Sequence, residues 1–515
     1  MITELFSHLL FFTAEPAAPF GAAGSILPKT YLGMPRRRLC FAAPSGTLNK
    51  KKKAGPPLGK CEGTGMKLLS GYTKVEKSWM MYDWANSAHS VIVVTILPIF
   101  YNTVAGYMAD AASGMTIWGY ATSAAMAIVA LLAPVLGVFG DFRGMRKKLF
   151  TIFMLVGVAS CAALAITPQL DFVAPGMAEK VGAAVLLLYV FSTIGFAGAN
   201  LYYDSFLNDV TTEERMDKVS TMGYGLGYIG GSTIPLVVFL VMNLVGVDML
   251  VCLSTAFGLT AVWWLAFSFP LLRNVQQVSC VEREKGAVGK ALRGLAGTVK
   301  EIFHHKAMFV YLLAYFFYID GVNTIIHMST SYGDTLGLGT TSMMLALLLV
   351  QVLGLPFCLL YIKLSEKFGA RIMVGAGICV YMGVTVFGFF LRSEWQFWVM
   401  AFLVATSQGG IQALSRSMFG KMIPDKKRSG EFFGFYDIFG KFSAIMGPAL
   451  VGVSSALAAD VMLGHVGHTR ATAPAELLAR IDTAAAPWGI LSVLVIFFIG
   501  GGLYFFVLPK YLKKD

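Results

Sequence analysis

Long apolar segments separated by shorter polar ones occupy most of the 515-residue chain. Each is about 20 residues or longer, enough for an α-helix to cross a hydrocarbon core about 30 Å thick. The segments do not alternate apolar and polar residues as the strands of a membrane β-barrel do. We therefore predict an all-α membrane protein with twelve transmembrane helices, near residues 83–107, 116–139, 149–168, 181–207, 219–243, 249–270, 307–330, 342–363, 371–391, 395–420, 432–456 and 487–509.

Polar segments divide the chain into four parts. Residues 1–65 contain the basic runs PRRR and KKKK and no sustained apolar period. They are either a disordered basic extension or precede a functional start at Met66, which is the interpretation we favour. A second polar segment, 271–306, is expected to be a cytoplasmic loop between an N-terminal six-helix half, 66–270, and a C-terminal six-helix half, 307–515.

A short motif recurs at the same place in the two predicted halves. The loop after the second helix contains Asp141-x-x-Gly-x-Arg146, and the loop after the eighth contains Glu366-x-x-Gly-x-Arg371. The recurrence predicts two pseudo-symmetric halves. Such repeats are typical of transporters that bind their solute between them.

The positions of the basic residues predict the orientation in the membrane. With the N-terminus inside and the helices alternating, the inside segments from residue 66 onward hold 26 Lys and Arg residues, and the outside segments hold four. Because basic residues accumulate in cytoplasmic loops, both termini are expected to be cytoplasmic. The same rule explains a net charge of +12 in a chain that is 56% hydrophobic, so nucleic acid is not an expected partner.

The chain lacks the motifs of catalytic, metal and cofactor sites. None of its seven cysteines forms a CxxC pair, and neither HExxH nor GxxxxGK[ST] occurs. The GxGxxG at 225–230 lies inside a predicted helix, whereas a dinucleotide site requires a preceding strand. Gly223, Gly227 and Gly231 in that segment are spaced by four, which predicts close approach of another helix. We therefore expect no enzyme activity, no metal site and no cofactor.

The predicted helices contain charged residues that do not belong to loops, and such groups usually face the protein interior or a wet cavity and pair. The candidates for coupling or gating are Asp83, Asp204, Asp320, Arg416, Asp437 and Lys441. Asp204 and Arg416 lie near cytoplasmic ends and are expected to form either a gate or a static packing pair. Asp437 and Lys441, four residues apart, are expected to pair locally. Asp83 either faces a cavity or caps the first helix.

Polar residues recur at helical spacing on the first, fourth, seventh and tenth predicted helices. These four stripes can surround one central cavity. The predicted solute contacts are Trp84, Asn86, Asn200, Tyr203, Asn323 and Gln412. Asp320 lies deepest, with His327 as its only nearby basic residue, and it is the best candidate for proton binding because intramembrane carboxylates commonly serve in proton relays.

The segment GVFGDFRGMRKK after the second predicted helix resembles the loop signature of the major facilitator superfamily. The matching residues are Gly137, Asp141, Arg143, Gly144, Arg146 and Lys147. The sequence departs from the signature at Phe142, where a basic residue is expected. The resemblance implies a fold in which helices one, four, seven and ten line the cavity, and a loop that stabilises one state at the cytoplasmic face.

A narrower resemblance rests on YDWANSAHSVIVVTILPIFY, GYGLGYIGG and RSMFGKMIPDKKRSGEFFGFYDIFGKFSAIMGP. These segments are similar to the vacuole-effluxer family, also called the unknown major facilitator family, and the likeness extends from Met66 to the C-terminus. It implies a secondary transporter that exports a small solute by alternating access, with amino acids as the substrate class of the autophagy-related effluxers and protons as a candidate coupling ion.

The short loops indicate a protein of a prokaryotic cytoplasmic membrane. We expect a monomer, with the solute and the lipid bilayer as its partners. The alternative is a non-transporting receptor or scaffold that binds a small ligand. It would bind without flux and would tolerate loss of the inner gate.

Overall fold

The computed structural model describes residues 69–108, 111–282 and 287–512. The chain divides into two compact units, Met1–Tyr72 and Thr73–Asp515. Of the first unit only residues 69–72 are described, and they contain a turn. The predictions for residues 1–65 and for a start at Met66 therefore lie outside the described residues.

Helices make up nearly all of the second unit, and the described residues contain no β-strand. Eleven described helices are long and apolar enough to cross a membrane. A further helix precedes them and consists of an α-helical, a π-helical and a second α-helical segment: Lys74–Val91, Ile92–Ile96 and Leu97–Ala105. In chain order the helices are α1 (74–105), α2 (Ala111–Asp141), α3 (Met145–Leu164), α4 (Met177–Ser205), α5 (Glu213–Leu244), α6 (Met249–Asn274), α7 (Lys306–Thr335), α8 (Thr340–Phe368), α9 (Ala370–Phe389), α10 (Glu394–Met422), α11 (Ser429–His465) and α12 (Ala475–Tyr511). The predicted all-α membrane architecture is confirmed.

Several helices are longer than the predicted apolar segments. α11 continues to His465, whereas the predicted segment ends at 456. The polar segment 271–306 contains a helix, Ala287–His304, which we call the loop helix. Hydropathy detects only the part of a helix that is apolar on all sides, so helical turns outside the hydrocarbon core are missed.

Glycines allow α5 to pack closely on α1. A Cβ at Gly223 would lie 2.4 Å from a carboxylate oxygen of Asp83, and one at Gly227 would lie 2.5 Å from the hydroxyl of Ser87. A Cβ at Gly231 would lie 2.4 Å from the carbonyl oxygen of Trp84. Real Cβ atoms do not approach other atoms so closely, so the predicted role of this glycine series in helix packing is confirmed.

The N-terminus of α1 is capped by Thr73. Its hydroxyl accepts a hydrogen bond from the Glu76 N–H at 3.1 Å, and the Glu76 carboxylate accepts one from the Thr73 N–H at 2.7 Å. This capping box satisfies the free donors of the first turn. The alternative that Asp83 caps the first helix is therefore wrong, because the helix begins nine residues earlier, at Lys74.

Candidate functional site

Arg416 of α10 contacts two carboxylates that belong to different helices. Its Nη1 donates to Asp204 of α4 at 3.0 Å, and its Nη2 donates to Asp83 of α1 at 3.2 Å. Its Nε donates to the hydroxyl of Ser220 on α5 at 2.9 Å. Only 2% of Arg416 is exposed. One guanidinium thus holds α1, α4 and α5 against α10, across the boundary between the predicted halves.

Aromatic rings enclose this guanidinium. Its central carbon lies 4.7 Å from the ring centroid of Trp79, 5.2 Å from that of Tyr203 and 4.5 Å from that of Tyr224. The Tyr203 hydroxyl also donates to Asp83 at 2.7 Å. Cation–π attraction is strongest where water is excluded, as it is here. Arg416, Asp83, Asp204, Trp79, Tyr203 and Tyr224 together are called the Arg416 cluster below.

The Asp of the YDWANSA segment therefore has a counter-charge. The sequence pattern predicts a pair between Asp204 and Arg416 and indicates no basic partner for Asp83. The sequence does show that Trp79 and Asp83 are four residues apart and therefore share one face of α1. The structure shows that both contact Arg416. A buried guanidinium with five donors commonly serves more than one acceptor.

A second cluster forms at the loop between α2 and α3. The Asp141 carboxylate accepts hydrogen bonds from the N–H groups of Gly430 at 2.7 Å and Glu431 at 2.8 Å, at the first turn of α11. Arg146 donates to Asp141 at 2.7 Å and to Asp209 at 2.6 Å. A carboxylate at a helix N-terminus satisfies free N–H groups and complements the helix dipole. Asp141 thus ties α2 to α11.

The other residues of the loop motif have different surroundings. A Cβ at Gly137 would lie 2.2 Å from the carbonyl oxygen of Gly430, so α2 and α11 touch backbone to backbone. Gly144 has φ +73°, a left-handed conformation that favours glycine. Lys147 donates to the Val275 carbonyl at 2.9 Å. Arg143 is exposed and pairs with Glu282 at 3.3 Å.

More exposed contacts surround these two clusters. Lys421 of α10 pairs with Asp217 of α5 at 2.6 Å, and Lys426 pairs with Glu213 at 3.2 Å. Asn208 donates to the hydroxyl of Ser429 at 3.0 Å. These contacts join the predicted halves at the end that the basic residues assign to the cytoplasm. That end is closed in this structure.

The predicted solute contacts lie at several places. Asn86 of α1 donates to Asn200 of α4 at 2.7 Å, which joins two of the six. Trp84 is buried and stacks on Trp263 with ring centroids 6.0 Å apart. Tyr203 belongs to the Arg416 cluster. Two more are half-buried, Asn323 on α7 and Gln412 on α10.

Asp320 is fully buried on α7. One of its carboxylate oxygens accepts a hydrogen bond from the Gly447 N–H of α11 at 2.9 Å, and the Thr324 hydroxyl lies 3.5 Å away. Its other oxygen has no hydrogen-bond partner among the described residues. His327 is exposed. The sequence indicated no backbone donor for Asp320, because the Gly447 contact joins residues 127 positions apart.

Asp437 and Lys441 form the expected local pair on α11, at 3.6 Å. A pocket of about 300 Å³ lies nearby between α7 and α11. Its walls are entirely apolar: Phe316, Ile438, Phe439, Phe442 and Met446. It contains none of the predicted solute contacts and has no polar group to orient a solute, so we do not assign it as the transport site.

Known proteins resemble this chain over most of its length. The family profile described as "Vacuole effluxer Atg22 like" matches residues 208–460. The uncharacterized MFS-type transporter YxiO of Bacillus subtilis is 44% identical over 398 residues, which cover 76% of this chain and 90% of that protein. Autophagy-related protein 22-2 of Aspergillus clavatus is 23% identical over 269 residues, 46% of this chain and 43% of that protein.

The fold is also that of a solved transporter. The major facilitator proton:xylose symporter XylE matches with a TM-score of 0.56 at 15% identity, over 82% of this chain and 93% of that chain. The identity is too low to carry more than the fold. The extent of the Bacillus match shows a multi-pass membrane transporter and not an enzyme. This chain belongs to the Atg22-like vacuole effluxer family of the major facilitator superfamily.

Proposed function

We propose that this transporter exports a small solute by alternating access and that the Arg416 cluster is its cytoplasmic gate. The observation that carries the proposal is the contact of one buried guanidinium with Asp83 and Asp204 across the two predicted halves. In this structure the gate is closed. The proposal places both termini in the cytoplasm, as the basic residues indicate. The predicted halves 66–270 and 307–515 rock about a site between them.

The physical character of the cluster suits a gate. Burying charges costs several kcal/mol per ion, and their mutual attraction offsets that cost only when the geometry is good. When the end opens, water solvates Arg416, Asp83 and Asp204 separately, so the loss of attraction is compensated. The cost of burying the charges and the attraction between them are both large and oppose each other. The closed and open states therefore stay close in free energy, which is what alternating access requires.

We propose amino acids as the substrate class. The resemblance of the sequence to the autophagy-related effluxers implies this class, and the match of residues 208–460 to the vacuole effluxer profile supports the resemblance. An amino acid needs polar partners for its two charged groups and an apolar surface for its side chain. The Asn86–Asn200 pair, Asn323, Gln412 and the indole of Trp84 offer both.

Counterflow in proteoliposomes tests the proposal. Vesicles that contain the purified full chain are preloaded with a mixed amino-acid pool, and exchange of each labelled amino acid is followed. We expect exchange of at least one amino acid, which the variant Asp204→Asn/Arg416→Gln loses. Protein that is folded yet exchanges no member of the pool would remove amino acids as the substrate class.

We further propose that Asp320 binds the coupling proton. It is buried without a counter-charge among its described contacts, which are the Gly447 N–H and the Thr324 hydroxyl. Asp320→Asn is expected to abolish accumulation against a gradient while counterflow exchange persists, because exchange needs no net proton movement. The control Asp437→Asn/Lys441→Gln removes a paired charge and should retain accumulation. An Asp320→Asn protein that still accumulates solute would contradict the assignment.

A further inference from the structure

One face of the loop helix, Ala287–His304, is fixed to the start of α11. The Thr298 hydroxyl donates to the Glu431 carboxylate. Arg428 donates to Glu301 at 2.7 Å and to Glu431 at 2.9 Å. Ile302 on the same face is 6% exposed. These contacts set which side of the helix points away from the protein.

The opposite face of the loop helix is exposed and amphipathic. Val299 is 38% exposed, and Phe303 is 55% exposed although its ring centroid lies 4.5 Å from that of Phe309 in the first turn of α7. Residues four apart lie above one another on a helix, so these two side chains form an apolar stripe. Arg293, Lys300 and His304 are also exposed. Their spacings of seven and four place them on an adjacent stripe, which is basic.

We propose that this face of the loop helix binds the membrane surface through anionic phospholipid headgroups. Val299 and Phe303 enter the boundary between headgroups and acyl chains, and Arg293 and Lys300 bind headgroup phosphates. Amphipathic helices with aromatic and basic stripes lie in membrane interfaces in this manner. Anionic lipids attract Lys and Arg close to the membrane surface.

The position of the helix supports a lipid surface as the occupant. His304 is two residues before Lys306, the first residue of α7, so the loop helix ends where a transmembrane helix enters the bilayer. The basic runs PRRR and KKKK at the start of the chain would be repelled by Arg293 and Lys300. An acidic partner protein is the competing occupant, and the experiment separates it from lipid.

Spin labels on the full chain in nanodiscs test the proposal. One label replaces Phe303 (Phe303→Cys), and a control label replaces Gly294 (Gly294→Cys), where a Cβ meets no atom within 4 Å. Gly294 is exposed and lies four residues before Thr298, on the side of the helix that contacts α11, away from the apolar and basic stripes. In phosphatidylcholine with added phosphatidylglycerol, the label at 303 should be accessible to oxygen and protected from a water-soluble nickel chelate. The label at 294 should show the reverse.

The anionic headgroups and the basic side chains of Arg293 and Lys300 are tested separately from the apolar stripe. Phosphatidylcholine alone, or the substitution Arg293→Gln/Lys300→Gln, should return the label at 303 toward the water-exposed pattern. If the two labels are equally accessible to the nickel chelate in both lipid mixtures, the helix does not bind the membrane surface, and an acidic protein partner becomes the occupant. If the label at 303 is protected regardless of phosphatidylglycerol and of the two basic residues, recognition of anionic headgroups is excluded.

Discussion

Arg416→Gln is expected to abolish solute exchange and to destabilise the closed state strongly. The substitution leaves Asp83 and Asp204 in a buried site without a counter-charge and removes the donor to Ser220. Removing one partner of a buried ion pair typically costs about 3–5 kcal/mol. The three aromatic rings around the guanidinium lose their cation as well. Counterflow rate and thermal unfolding in detergent measure the two effects.

Related variants separate charge from packing. The triple variant Asp83→Asn/Asp204→Asn/Arg416→Gln leaves no unpaired charge and should recover much of the thermal stability, but not exchange. Lys421→Gln is the matched control, because Lys421 also bridges the predicted halves, to Asp217, but is 29% exposed. It should change stability by about 1 kcal/mol or less. An Arg416→Gln protein with normal exchange would rule out a gate.

Gly137→Val is expected to prevent the cytoplasmic end from closing. A Cβ at Gly137 would lie 2.2 Å from the Gly430 carbonyl oxygen, and neither backbone can move aside without separating α2 from α11. Separation would break the hydrogen bonds from Gly430 and Glu431 to Asp141. Overpacking typically costs about 1–3 kcal/mol. We expect this cost to destabilise the closed state, because α2 and α11 are in contact there. We expect exchange to fall to the background rate while the protein still inserts and folds.

The control for this substitution is Gly452→Ala on α11. A Cβ at Gly452 meets no atom within 4 Å, so the change adds a methyl group to α11, the helix that Gly137 contacts, without a clash. Exchange by Gly452→Ala should match that of the wild type. Exchange by Gly137→Val at the wild-type rate would show that α2 and α11 need not approach closely during transport.

The fold follows from the sequence because hydropathy over about 20 residues is a strong and local signal. The glycine spacing on α5 was equally informative, since Gly223, Gly227 and Gly231 lie on one helix face. The loop helix was missed because its Val299 and Phe303 are interspersed with basic residues and small ones. The helix-cap alternative for Asp83 was wrong because Thr73 and Glu76 already form the cap.

The site was less predictable because its contacts join residues far apart in the chain. Arg416 and Asp83 are 333 positions apart, and Asp141 and Gly430 are 289 apart. Composition and helical spacing identify which residues are unusual in a membrane but not which of them meet. The pairing of Asp204 with Arg416 could be anticipated because both lie near cytoplasmic ends. The backbone N–H groups of Gly430 and Glu431 that donate to Asp141, and that of Gly447 that donates to Asp320, have no sequence signature.

The distance between spin labels at Lys148→Cys and Lys367→Cys tests the gate most directly. Both positions are exposed, on α3 and α8 at the predicted cytoplasmic end, and they belong to different predicted halves. In nanodiscs the wild-type background should show a short-distance population that corresponds to the closed end. Arg416→Gln should shift that population to longer distances, and Lys421→Gln should not. Identical distance distributions in the wild type and Arg416→Gln would show that the Arg416 cluster does not hold the cytoplasmic end closed.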